Sequence, residues 1–259
     1  MPLTTELQCR FDLLYDPLQP KRMRSPDAAA LLQDICAALE SGTLRMVEGD
    51  GLGNWRVRSW LKQALVQLSG GGSMEQQPGV LPGSELNSLG WQQQRPLHRR
   101  VPAGSSIRHG AYLAAGVAVM PPSTVQAGAA ILEGASIDSH CLVGTGVLVG
   151  EGAVVGCGTM LAGALLPAEA LPVILERGVV VGGNCGLYGP MVVGERSSIF
   201  AGTIIRAAAG AFHPATRTWL LPDASGTLRL PPGCTVGMGL PPAENFPDGI
   251  PRLSPIFAD

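Results

Sequence analysis

The sequence predicts a mainly β protein: a left-handed parallel β-helix with a helical N-terminal domain and a short C-terminal cap. Three observations carry this. Reading every sixth residue from Ile107 gives Ile107, Leu113, Val119, Val125, Ile131, Ile137, Val143, Val149, Val155 and Leu161, an unbroken aliphatic series. Three residues after each, small residues dominate: Gly110, Gly116, Pro122, Gly128, Gly134, His140, Gly146, Gly152, Gly158 and Ala164. Only 5% of the 259 residues are aromatic while 46% are hydrophobic, so aliphatic side chains must fill the interior. A helix needs a period near 3.6 and an isolated antiparallel strand a period of two, and neither fits. A hexapeptide instead makes one flat side of a triangular prism, and three make a coil. The aliphatic residue points inward, the small residue permits the tight corner, and coils stack through parallel-strand hydrogen bonds at about 4.8 Å.

Taken in order, residues 1–100 form the N-terminal helical domain and its linker. Ser25-Pro26-Asp27 reads as a helix start. Ala30, Leu31, Ile35, Ala38 and Leu39 keep helical spacing up to the stop at Ser41-Gly42. A second helix begins at Ser59-Trp60-Leu61 and ends at Gly70–Gly72, and residues 70–100 read as an extended connection. The prism is expected over 101–205. Its period breaks at Ala162–Val173, where a loop leaves it, and resumes at Leu175, Val181, Leu187, Val193, Ile199 and Ile205. That loop is either a tolerated insertion or a cover over a site between subunits. In residues 206–259 the seven prolines from Pro231 to Pro255 forbid long helices. His213–Arg229 reads as a hairpin turning at Asp223-Ala224-Ser225-Gly226, the cap that an open coil end requires.

Composition excludes several classes. The hydrophobic content is too high for a disordered chain. A net charge of −2 gives no electrostatic reason for nucleic acid or an anionic membrane surface as partner. The longest stretch without charge, His109–Leu132, is broken by Gly and Pro and does not read as a membrane span. The start MPLTTELQCRFD lacks the pattern of a signal peptide, so a cytoplasmic location is expected. The six cysteines are all spaced too widely for a metal knuckle and are expected as reduced thiols, with no metal site.

The residues also resemble a known family, the tetrahydrodipicolinate N-succinyltransferases, as a divergent member. The likeness covers Leu39-Glu40-Ser41-Gly42-Thr43-Leu44-Arg45, then Trp55, then Trp60-Leu61-Lys62-Gln63-Ala64. It continues with Ile107-Arg108-His109-Gly110-Ala111-Tyr112, Met120-Pro121, Glu133-Gly134, Ile137-Asp138 with Val143-Gly144, and Leu240-Pro241. The resemblance implies a homotrimer with sites between adjacent prisms, where the amine of a small amino-acid substrate attacks the thioester of an acyl-CoA (succinyl-CoA or acetyl-CoA). It implies a role for Asp138, which follows the inward Ile137 and so points outward. His140 stands two residues on and is the candidate second catalytic group, with Tyr188 at the substrate. Gly163, Ala201, Gly202, Arg206 and Arg229 are the positions assigned to CoA, with Arg217 a further candidate.

Two departures bear on function. A family glutamate falls on Gly186 and a second on Gly189, leaving His140, Cys185, Tyr188 or a water to do its work. The basic tail of the family is absent, with no lysine after Lys62. Three readings stay open: the family's N-acyl transfer on a diaminopimelate-pathway intermediate; a related transferase, using acetyl or succinyl, in a specialised pathway such as tabtoxin-like β-lactam synthesis; and a non-catalytic trimeric scaffold. Asp138 speaks against the last, since a scaffold has no use for it.

Overall fold

The structure, a computed structural model, describes residues 2–15, 25–51, 53–68, 101–163, 165–246 and 252–258. The expected linker over 70–100, the stop at Gly70–Gly72 and Ala164 lie outside them.

The period of six builds the expected left-handed β-helix. Its first face stacks strands Ser106–Ile107, Thr124–Val125, Leu142–Val143, Met160–Leu161, Gly186–Tyr188 and Ile204–Arg206, all parallel. The second face stacks Tyr112–Leu113, Ala130–Ile131, Leu148–Val149, Val173–Leu175, Met191–Val193 and Leu228–Leu230. The third runs through Ala118–Val119, Ser136–Ile137, Val154–Val155, Val180–Val181, Ser198–Ile199 and Thr235–Gly239. Every aliphatic residue of the six-residue series is buried, Ile107 to Leu161 and Leu175 to Ile205 alike. Each contributes about 1.5–3 kcal/mol by leaving water. The corners carry the small-residue positions in the left-handed backbone region, with Gly128 at φ +76° and Gly146 at φ +75°.

The prism does not end at residue 205. The chain leaves it after Arg206 and returns at Leu228–Leu230 and Thr235–Gly239, which extend the second and third faces by one more rung. The excursion holds the expected hairpin, but the turn lies elsewhere. Ala211–His213 pairs antiparallel with Thr218–Leu220, and the turn is Pro214 to Arg217, closed by the Arg217 amide on the Pro214 carbonyl at 3.2 Å. Asp223–Gly226 is a second, separate turn. The Asp223 carboxylate accepts from the amides of Ser225 at 2.8 Å and Thr227 at 3.1 Å. After it, Leu228 and Leu230 point inward, and that apolar gain takes the strand back to the prism rather than onto the hairpin. The last strand, Ser254–Ala258, runs antiparallel along Thr235–Gly239 and on its other side pairs with Ala211–His213, which joins the hairpin to the third face.

The helical domain contains α1 (Leu3–Leu14), α2 (Pro26–Glu40) and α3 (Ser59–Leu68). The Ser25 hydroxyl caps α2 by accepting from the Ala28 amide at 3.2 Å. Leu7 and Phe11 of α1, Leu31, Leu32 and Ile35 of α2, and Leu61 and Leu65 of α3 form one core. Between α2 and α3 lies a hairpin, β1 (Val47–Gly49) and β2 (Trp55–Val57). It leans on the second face of the prism, where Val47 packs with Ala130, Leu148, Ile174 and Val192. The Trp55 indole donates to Glu176 at 2.8 Å.

The segments that carry the family likeness form this junction. Glu40, at the end of α2, accepts from the Gly110 amide at 2.8 Å and bonds His109 Nδ1 at 3.0 Å. The Arg45 guanidinium lies 3.6 Å from the centre of the Tyr112 ring. Lys62 of α3 is fully buried and donates to the carbonyls of Ala170 and Pro167 in the loop that interrupts the prism. Within the chain, that loop is docked on the helical domain.

Candidate active site

The residues expected at the site gather on one corner and one adjacent face. The corner between the third and first faces carries Asp138, Ser139 and His140. Asp138 is exposed, and its carboxylate accepts from the Ser139 amide at 2.7 Å. His140 is exposed and takes φ +61°, the left-handed conformation that glycine supplies at most other corners. Its amide donates to the Pro122 carbonyl of the coil below at 2.6 Å. His140 borders a depression of about 350 Å³ whose lining includes Pro122, Thr124, Leu142 and Met160. A histidine at this corner is thus a solvent-facing side chain with room before it.

Tyr188 and Arg206 occupy neighbouring rungs of the first face. The Tyr188 ring lies over Gly186, where a Cβ would stand 2.4 Å from its Cε2. Its hydroxyl reaches Met160 Sδ at 3.5 Å. The aromatic ring thus fills the space that a carboxylate side chain at 186 would take. Cys185 does not substitute for it. The residue is buried, its thiol donates to the Phe200 carbonyl at 3.1 Å, and burial pushes the thiol pKa up.

The positions assigned to CoA divide. Ala201 and Gly202 are exposed on the same corner as Asp138, three coils further along, about 14 Å at the usual strand spacing. Arg206 is exposed, and its guanidinium makes no hydrogen bond or ion pair among the described residues. Gly163 sits on the next corner, where a Cβ would come within 2.2 Å of the Thr145 amide nitrogen, so close coil packing already accounts for it. Arg229 belongs to the second face and is ion-paired with Asp223 at 2.9 Å. Arg217 pairs with Glu244 at 2.6 Å on the hairpin. The structure brings Asp138, His140, Tyr188, Ala201, Gly202 and Arg206 to one side of the prism, and leaves Arg217 and Arg229 away from it.

One feature of this corner was not anticipated. Behind it, inside the prism, runs a column of buried polar side chains: Ser123, Cys141, Thr159, Cys185 and Thr203. Each of the first four donates to a main-chain carbonyl of the next coil: Ser123 to Asp138 at 2.9 Å, Cys141 to Gly156 at 3.2 Å, Thr159 to Gly182 at 2.9 Å and Cys185 to Phe200 at 3.1 Å. Ser123 and Thr159 also accept from the amides of Cys141 and Cys185. The corresponding places on the other corners are apolar at Ala111, Ala129 and Val147, and at Ala135, Ala153 and Val179, with Ser197 a polar exception. Reading the fourth residue after each inward aliphatic would have revealed the column from sequence.

Comparison with known proteins identifies the family. The family model described as tetrahydrodipicolinate N-succinyltransferase N-terminal matches residues 14–68. A 2,3,4,5-tetrahydropyridine-2,6-dicarboxylate N-succinyltransferase of Methylobacterium sp. (strain 4-46) is 31% identical over 83% of this chain and 77% of its own length. The protein of that name from Agrobacterium fabrum is 35% identical over 83% of this chain and 76% of its own. That of Afipia carboxidovorans is 29% identical over 97% of this chain and 89% of its own. With identity of this order spread over both the helical domain and the prism, the chain belongs to the 2,3,4,5-tetrahydropyridine-2,6-dicarboxylate N-succinyltransferase family and is an acyltransferase.

Proposed function

We infer that the protein transfers the acyl group of an acyl-CoA, succinyl-CoA by the names of its relatives, to the amine of a tetrahydropyridine-dicarboxylate in its ring-opened amino form. The observation that carries this reading is Asp138, an exposed carboxylate on a prism corner between two faces that present Val154, Val180, Met160 and Ile204 outward. In the reaction the amine nitrogen attacks the thioester carbonyl. A C–N bond forms, the tetrahedral oxyanion collapses, the C–S bond breaks, and the proton lost by the amine ends on the CoA sulfur or in water. Asp138 orients the amine and the His140 imidazole takes its proton. Tyr188 offers a hydroxyl to the substrate or the oxyanion. CoA runs along the first face past Ala201 and Gly202 toward Arg206, whose unpaired guanidinium suits a phosphate.

The site is completed by a second copy in a homotrimer. Support comes from the two free faces. Their outward in-register residues include Val154, Val180, Met160 and Ile204, all exposed, and none is charged. Phe200 is exposed on the corner between them. The second face is already covered by the hairpin of the helical domain.

A second reading of the substrates rests on Tyr188 over Gly186: a site with an aromatic ring in place of a carboxylate suits a different amine or an acetyl group. Thiol release from succinyl-CoA and acetyl-CoA, each with a panel of amino acids, separates the two. Asp138→Ala is expected to abolish release while leaving the assembly unchanged. Full turnover in that variant removes Asp138 from the mechanism, and no release from any pair favours a scaffold.

A further inference from the structure

We propose that Ser123 is a positioning residue for this site. Its hydroxyl sets the conformation of the corner that presents Asp138 and His140. The proposal rests on the reading of that corner as the acyl-transfer site.

Ser123 lies inside the prism, buried, one coil below the corner. Its Oγ donates to the Asp138 carbonyl at 2.9 Å and accepts from the Cys141 amide at 3.0 Å. One hydroxyl therefore grips both ends of the four-residue corner 138–141. Between those two points the chain is under local constraint, since His140 is held at φ +61°, where a side chain with a Cβ is disfavoured. The third tie is the His140 amide on Pro122, the residue next to Ser123. All three bonds reach the corner from 122–123. Without the hydroxyl, an amide and a carbonyl at the base of the corner lose their partner inside an apolar prism, where such groups are costly to leave unpaired. The corner then relaxes, and both side chains it carries move with it.

The geometry also says which replacement works. Cys141 and Cys185 occupy the equivalent places one and three coils further along and make the equivalent bond to the next carbonyl. A thiol at 123 therefore restores the grip. The matched control is Ser197, fully buried on a different corner, whose hydroxyl donates to the Pro231 carbonyl at 3.0 Å.

The test compares the full chain with Ser123→Ala, Ser123→Cys and Ser197→Ala, reading acyl transfer and the ring resonance of His140 by NMR. Ser123→Ala is expected to lower kcat about 10- to 100-fold with little change in KM for acyl-CoA, and Ser123→Cys to recover to within about threefold of wild type. Ser197→Ala melts earlier but keeps its turnover. The His140 resonance shifts in Ser123→Ala and stays in Ser197→Ala. Equal losses of turnover in both alanine variants, or an unmoved His140 resonance in Ser123→Ala, overturns the proposal. So does a Ser123→Ala chain that fails to fold beside a folded Ser197→Ala, because the hydroxyl is then purely structural. If the wild type transfers no acyl group, the acyl-transfer reading fails, and the His140 resonance alone decides whether Ser123 sets the corner.

Discussion

Thr203 is the last rung of the buried polar column, and it differs from the others. Its hydroxyl is buried and has no hydrogen-bond partner among the described residues, whereas the four rungs below it each bond a carbonyl. An unpaired buried hydroxyl costs about 1–3 kcal/mol, and an apolar replacement of the same shape removes that cost. Thr203→Val is therefore expected to raise the urea midpoint, and a clear fall would show that Oγ1 has a partner after all. Ile137→Ala acts in the opposite direction, with a loss of about 2–5 kcal/mol from the cavity left beneath Asp138. At this scale much was legible in advance. Ile137 had to point inward because of its place in the series, and Asp138 outward because it follows. The Tyr188 ring on Gly186 was not legible, because it depends on a side chain folding back across two residues of its own strand. The fate of Arg229 was equally hidden, since its partner Asp223 comes from a turn whose position only the three-dimensional path fixes.

Among the elements, α2 announced itself through Ser25-Pro26 and its helical spacing, and α3 through its apolar run. α1 did not, because its N-cap is Pro2 and no side chain caps it. The hairpin of β1 and β2 was missed because three-residue strands carry too little alternation to read. The break at Ala162–Val173 was visible as a slip of the period, but its docking on Lys62 was not. That lysine gives a pH prediction. Burial lowers its pKa from the ordinary 10.5 to about 8, with Glu169 opposing the fall. Between about pH 8 and 10.5 the unfolded chain holds the proton that the folded chain has lost, so stability attributable to this group rises with pH across that window. Urea unfolding of wild type against Lys62→Met is expected to show wild type gaining on the variant from pH 8 to pH 10; a constant difference would place the amine in water. On the other side of the domain, Glu40→Gln keeps one acceptor for the Gly110 amide but loses its charge toward His109. It should cost less than Glu40→Ala, with thermal melts ranking the two.

For the whole molecule, thiol chemistry reports on assembly. Cys9 and Cys157 are exposed, while Cys36 is buried with its thiol pushed up to about 12, mainly by desolvation. Cys157 lies on the same corner as Asp138, one coil along. Ellman's reagent is expected to modify Cys9 readily, and to modify Cys157 more slowly in the assembled protein and slowest with acyl-CoA bound. A Cys157 that reacts at one rate in every state would put the seam between copies elsewhere. The period of six made the prism legible at this scale, down to the phase of its inward residues. The end of the prism was read too early because the excursion after Arg206 hides the returning strands behind a hairpin. The closing strand at Ser254–Ala258 has its own outcome. It runs against the direction of every strand in the coils and pairs on its other side with Ala211–His213, so the hairpin extends the third face beyond the last coil. Growth into fibrils, the standing hazard of any stacked array of strands, meets on that face only the three-residue edge Thr218–Leu220 in place of a bare coil rung.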